Sequence, residues 1–157
     1  MTQDDQAAAA VGRIPSGVAI LTAAAGDRST GMLASWFQQA SFEPLLVTVA
    51  VKRGRPIREL MESSGRFALN LLAENPKEMF RVYARGFGPD EDAFADVACR
   101  RSAHGVRLDE ALAYLGCRIV QRVATGDHDL YVGQVEEARQ YGDGRPHVHL
   151  RKTGANY

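Results

Sequence analysis

Residues 30–53 read Thr-Gly-Met-Leu-Ala-Ser-Trp-Phe-Gln-Gln-Ala-Ser-Phe-Glu-Pro-Leu-Leu-Val-Thr-Val-Ala-Val-Lys-Arg. The second half, Leu45 to Val51, has strand length, is rich in Val, and is bounded by Pro44 and by Lys52-Arg53-Gly54. Leu45, Val47, Val49 and Val51 share one face at the two-residue period, which suits a core. The opposite face (Leu46, Thr48, Ala50) is only weakly polar, so the strand is expected to be covered on both sides. The first half is of a different kind. Ser35 to Ser41 sets hydroxyls, side-chain amides and one indole close together, too polar for a core and too apolar for a plain surface loop. Such a segment suits the wall of a pocket for a flat ligand that is part apolar and part polar.

Upstream, Asp4 to Val11 is predicted to form a short Ala-rich helix capped by Asp. Gly17 to Ala24 reads as a strand that turns at Gly26-Asp27 into an antiparallel partner, Ser29 to Trp36. Downstream, Pro56 opens a helix with Ile57, Leu60 and Met61 at helical spacing, and Arg66 to Leu72 returns to strand. Asn75-Pro76-Lys77-Glu78 has the form of a capped helix start, with Met79, Val82 and Tyr83 as its buried stripe. Gly86 to about Arg107 reads as irregular. Leu115, Cys117, Ile119 and Val123 alternate along a strand, Asp127-His128-Asp129 turns into Leu130 to Glu136, and His147 to Arg151 makes a last short strand. Many strands with a few inserted helices point to a β-barrel with helical excursions, a mainly β chain rather than alternating βαβ units.

At 157 residues the chain is expected to be one domain, 1–157, with a real core. Its 19 basic and 19 acidic residues balance, so no nucleic-acid partner is expected. No apolar run reaches spanning length, and Met1 to Ala10 lacks the basic start and apolar centre of a signal peptide; the expectation is a cytoplasmic protein with no membrane partner. Cys99 and Cys117 are too few and too far apart for a disulfide framework or a CxxC site. His147 and His149 share a face, but nothing beside them completes a ligand set, so no metal is expected. Neither GxGxxG after a strand nor GxxxxGK[ST] occurs, which disfavours a doubly wound dehydrogenase.

Taken in order, Gly31 to Pro44, Arg66-Phe67-Ala68-Leu69-Asn70-Leu71-Leu72, Ala113-Tyr114-Leu115-Gly116-Cys117, Gly126-Asp127-His128 and the tail His149 to Tyr157 resemble the flavin reductase-like, FMN-binding split-barrel family. The tail is most similar to the flavin reductase domain at the C-terminus of cyanobacterial flavodiiron proteins. The resemblance implies a Greek-key split β-barrel, a homodimer with flavin near the subunit interface, and FMN (or FAD) as cofactor. It also implies NAD(P)H as substrate, with hydride transfer to flavin N5 and delivery of reduced flavin or electrons to a partner monooxygenase or electron-acceptor protein. A non-catalytic flavin-binding or storage module stays open as the alternative.

By motif, the family's flavin contacts fall on Met32, Ala34, Ser35, Trp36, Ser41 and Lys52, and the side-chain amides Gln38 and Gln39 add donors near the ring edge. The phosphate needs cations. Lys52 and Arg53 are the first choice, Arg85 a further one, with Arg55 and Arg81 also within the basic set. His128, between Asp127 and Asp129, is the expected catalytic residue, since the resemblance puts it near the flavin face where nicotinamide stacks. Arg151-Lys152-Thr153-Gly154 reads either as a contact to cofactor or partner subunit or as a solvated tail.

Overall fold

The apolar runs of the sequence become strands of one antiparallel sheet in the computed structural model, which describes residues 1–157. In chain order the elements are α1 (Gln3–Val11), β1 (Ala19–Ala25), β2 (Arg28–Ala34), β3 (Phe37–Ser41), β4 (Leu46–Lys52), α2 (Ile57–Ser64) and β5 (Arg66–Leu71). Then follow α3 (Lys77–Tyr83), β6 (Cys99–Arg101), β7 (Val106–Leu108), β8 (Ala113–Ala124) and β9 (His128–Gln140). The main sheet has seven strands in the order β2-β1-β5-β8-β9-β4-β3, and β6 and β7 pair separately. The β1–β2 hairpin closes through Gly26-Asp27 with Ala25 opposite Arg28, as the turn signal predicts.

β1 and β4 stand second and sixth in the seven-strand order, yet they share a core. Leu21 and Ala23 of β1 pack in one cluster with Val49 and Val51 of β4, Phe67, Cys117 and Tyr131, under Ile57, Leu60 and Met61 of α2. A flat sheet would hold those strands apart, so the sheet curls around this cluster. The other face of β1 serves a second cluster, where Ile20 meets Leu72, Met79, Tyr83, Val106 and Leu108 under α3 and β7. Each large side chain so buried contributes about 1.5–3 kcal/mol. Two buried polar groups tie β7 down. Asn70 donates to the carbonyls of Ile20 (3.2 Å) and Val106 (3.0 Å) and accepts from Leu108 N–H, while Thr22 exchanges hydrogen bonds with Val106.

The mainly β architecture with inserted helices is as expected, with local corrections. β4 is covered on one face only: Val47, Val49 and Val51 are buried, Leu46, Thr48 and Ala50 are half-buried, and Leu45 lies before the strand at 45% exposure. That face borders open pockets, where Thr48 and Ala50 lie beside Trp36. Thr2, not an Asp, caps α1, in a reciprocal capping box with Asp5. Asn75 sits at positive φ and caps nothing; α3 starts at Lys77 after Pro76. The stretch read as irregular contains β6 and β7, and residues 147–151 make no strand, holding to the body through the Ser16–His149 bridge and the His147 N–H on the Leu72 carbonyl. No helix is long and apolar enough to cross a membrane.

Candidate functional site

A cleft of about 230 Å³ opens beside the end of β2, and most of its wall is apolar. Met32, Leu33 and Ala34 supply one side, followed by Ser35 and Trp36 from the connection into β3. Val18 and Ala50 lie behind them, and Phe80, Tyr83, Ala84 and Gly86 come from α3 and its exit. The polar rim is Arg55, just before α2, with His149 and Tyr157 from the tail. The segment fits this duty because β2 pairs with β1 on one side only and stands at the sheet edge. Its residues past Gly31 therefore face a gap that only α3 and the tail close.

Of the residues predicted for cofactor binding, Met32, Ala34, Ser35 and Trp36 are brought together here. The rest lie elsewhere. Gln39 and Ser41 run along β3, where the Gln39 amide donates to the Ser41 carbonyl at 3.4 Å. Lys52 is exposed at the end of β4, opposite His128. Arg53 is engaged by Asp129 (3.2 Å) and the Thr125 carbonyl (3.3 Å), and Arg85 by Glu91 (3.0 Å) and the Gly86 carbonyl while it stacks on Phe87. The cation at the cleft is Arg55. Gly86 is favoured beside it because φ is +76°, a left-handed conformation that residues with side chains rarely adopt.

His128 opens β9 and is 6% exposed. Its Nδ1 lies 2.6 Å from Asp127 Oδ1 and its Nε2 2.5 Å from the Tyr157 hydroxyl. Its ring is 4.6 Å from that of Trp36, and the Arg151 guanidinium sits 5.0 Å from the Trp36 ring on an aromatic face that attracts cations. The hydrogen bond from His128 holds the Asp127 carboxyl below its usual range. Next along, Asp129 is 3% exposed and neutralised by Arg53 and Arg58, the latter also bonded to the Tyr131 hydroxyl. This network fixes the turn that carries His128. His149 titrates below its ordinary value because of burial first, then the nearby His147 and Arg151. It is therefore a neutral imidazole at the cleft at pH 7.

Sequence reasoning missed Tyr83, His149 and Tyr157 as cleft residues and ranked Arg55 below Arg53. Buried atoms without partners mark the same region: the Trp36 indole N–H, the Tyr83 hydroxyl and one Arg151 nitrogen. Burial raises the Tyr83 phenol well above its ordinary value, so it stays protonated. An apolar slot with orphaned donors and a cation at its rim fits a flat ring with polar edges and an anionic tail. No group of three or more His, Cys, Asp or Glu is arranged to hold a metal.

Residues 11–154 match the family described as flavin reductase like domain. The chain belongs to that family. Diflavin flavoprotein A 1 of Synechocystis sp. is 40% identical over 151 residues, a match that takes in 94% of this chain and 26% of that relative. The chain thus spans about a quarter of the length of the curated relatives it matches. Among solved structures, the NADH:FAD oxidoreductase SgcE6 of Streptomyces globisporus superposes with a TM-score of 0.84 at 23% identity, over 93% of this chain and 86% of that one. The styrene monooxygenase flavin reductase of Pseudomonas putida S12 gives a TM-score of 0.77 at 26% identity, over 90% of both chains. The flavin reductase fold is therefore the split barrel expected from the motifs, and the relatives are flavoproteins.

Proposed function

We propose that this flavin reductase domain binds FMN, with FAD as the alternative, in the cleft beside Trp36 and reduces it with NAD(P)H. The observation that carries the reading is the convergence on one apolar slot of Met32, Ala34, Ser35 and Trp36 with a guanidinium, Arg55, that has no carboxylate partner. Flavin, when bound, supplies the acceptor for a hydride from reduced nicotinamide. Met32, Leu33 and Phe80 exclude water from the ring, and the Ser35 hydroxyl with the Trp36 indole N–H orients its polar edge. Arg55 holds the phosphate, each charged hydrogen bond contributing about 1.5–3 kcal/mol. No protein nucleophile is needed, so the residues act through geometry and electrostatics. The electrons then pass to a partner oxygenase, as reduced flavin, or to a redox protein. The likeness to diflavin flavoproteins supports the second route. A homodimer is part of this reading, supported by the half-open apolar surface around Phe37, Leu45 and Val135.

The test is anaerobic stopped-flow reduction of the FMN-loaded protein by NADH and by NADPH, followed at the flavin absorbance. Bleaching by either supports the reading. A yellow protein that neither nicotinamide bleaches makes the domain a flavin-binding module without turnover.

A further inference from the structure

His128 reaches the cleft only through another side chain. Both ring nitrogens are engaged, Nδ1 by Asp127 and Nε2 by the Tyr157 hydroxyl, and the imidazole is almost fully covered. His128 is not among the residues that line the cleft; Tyr157 is. Tyr157 is 63% exposed, so its ring is reachable from solvent and from the cleft; it lies 5.6 Å from Trp36 and 5.9 Å from the Arg55 guanidinium. At the far end of the chain of hydrogen bonds, the Asp127 side chain is 75% exposed. We propose that Tyr157 is the group that touches the ligand in the cleft, and that His128 is a positioning residue that acts through it in an Asp127–His128–Tyr157 hydrogen-bond chain. The proposal rests on the flavin reductase reading of the cleft.

The direction of the hydrogen bonds follows from donor and acceptor counting. A carboxylate only accepts, so the Asp127 contact places a proton on Nδ1 of His128. With Nε2 bare, the Tyr157 O–H donates to it, and the phenolic oxygen offers lone pairs to the cleft. With the imidazole doubly protonated, that bond reverses: Nε2–H donates to the phenolic oxygen, and the O–H is released to donate to the ligand. Tyr157 thus changes from acceptor to donor according to the charge on His128. The phenol itself stays protonated, since burial raises it and only partly yields to Arg55 and Arg151. The charged groups around the imidazole are Asp127 on its own turn, Lys52 opposite it on β4, and Arg151, which stacks on Trp36. Asp129, on the following residue, is already neutralised by Arg53 and Arg58.

The experiment compares wild type, Tyr157→Phe and His128→Gln. FMN binding is read first, through emission of Trp36, the single tryptophan of the chain. A wild type that binds no flavin overturns the reading of the cleft and the proposal with it. Given binding, Tyr157→Phe is expected to slow flavin reduction about tenfold, the loss of one hydrogen bond. It should also flatten the pH profile of flavin reduction. Adding His128→Gln to Tyr157→Phe should cost nothing further. Independently of turnover, carbethoxylation of His128 in flavin-free protein, mapped by peptide, should run about fivefold faster in Tyr157→Phe as Nε2 is freed. His149 is the internal reference. Wild-type reduction rate and pH profile in Tyr157→Phe, or unchanged labelling of His128, overturns the proposal.

Discussion

His104 and His128 are buried to nearly the same degree, 7% and 6% exposed, and each is bonded to a carboxylate at the sheet surface. Only one of them is connected to the cleft. His104 Nε2 lies 2.9 Å from Glu136, its Nδ1 has no hydrogen-bond partner, and it rests on Gly116, where a Cβ would come within 2.5 Å of that nitrogen. Its effect is to pin the loop before β7 onto β8 and β9. His128 uses its second nitrogen to hold a residue of the cleft wall. Burial and an acidic partner therefore do not distinguish a working histidine from a structural one; the group on the other nitrogen does.

The sharpest way to break the comparison is to delete each imidazole. His128→Ala is expected to slow flavin reduction by about tenfold, no more than Tyr157→Phe, while FMN affinity changes little, as measured by stopped flow and fluorescence titration. An unchanged rate removes His128 from the mechanism. Arg55→Ala should weaken FMN binding by about tenfold or more, the loss of a charged contact, whereas Arg53→Ala leaves affinity alone because that cation belongs to Asp129. Equal losses in a titration of both variants would put the phosphate at the β4 end instead. His104→Ala should lower unfolding free energy in urea by about 1–3 kcal/mol through the unpaired buried groups it leaves, with reduction unaffected.

The smallest effect is in the acid limb of stability. Glu136 is held below its ordinary 4.5, first by its bond to His104 and then by Arg118. A carboxylate depressed in the folded state adds stability that is present above that ordinary value and is lost as pH falls through the folded value. Urea midpoints should therefore decline below about pH 4.5, and His104→Ala should flatten the decline. Asp127 behaves in the same sense from an ordinary 3.8, so His128→Ala should flatten only the more acidic part.

Much of the fold was legible because β4 and β8 announce themselves by apolar alternation, and β1 and β5 by short apolar runs buried on both faces. β6 and β7 did not: each has three residues, and Cys99-Arg100-Arg101 offers no apolar face to read. The strand length of β9 exceeds its apolar run because its last residues are held by pairing with β8 rather than by burial. In the site, Met32 to Trp36 stood out since they are contiguous. Arg55 was ranked below Arg53 because Lys52, Arg53 and Arg55 flank Gly54, whose positive φ turns the chain and sends Arg53 to Asp129 and Arg55 to the cleft. No local pattern encodes that turn's outcome. Tyr83 reads as core, which it also is, and His149 and Tyr157 meet the cleft from a tail with no periodicity.

The position of β4 carries a cost during synthesis. Its ladder partner on the inner side is β9, so Lys52 waits for His128 and Leu46 for Gln134. A nascent chain leaving the ribosome would hold Val47, Val49 and Val51 beside an unpaired backbone edge, with β3, the following helix and the β1–β2 hairpin as early shelter. Closure across so much sequence is entropically slow, and an open edge invites pairing between chains. Chaperone dependence and loss to aggregation at high expression are the expected signature of that delay.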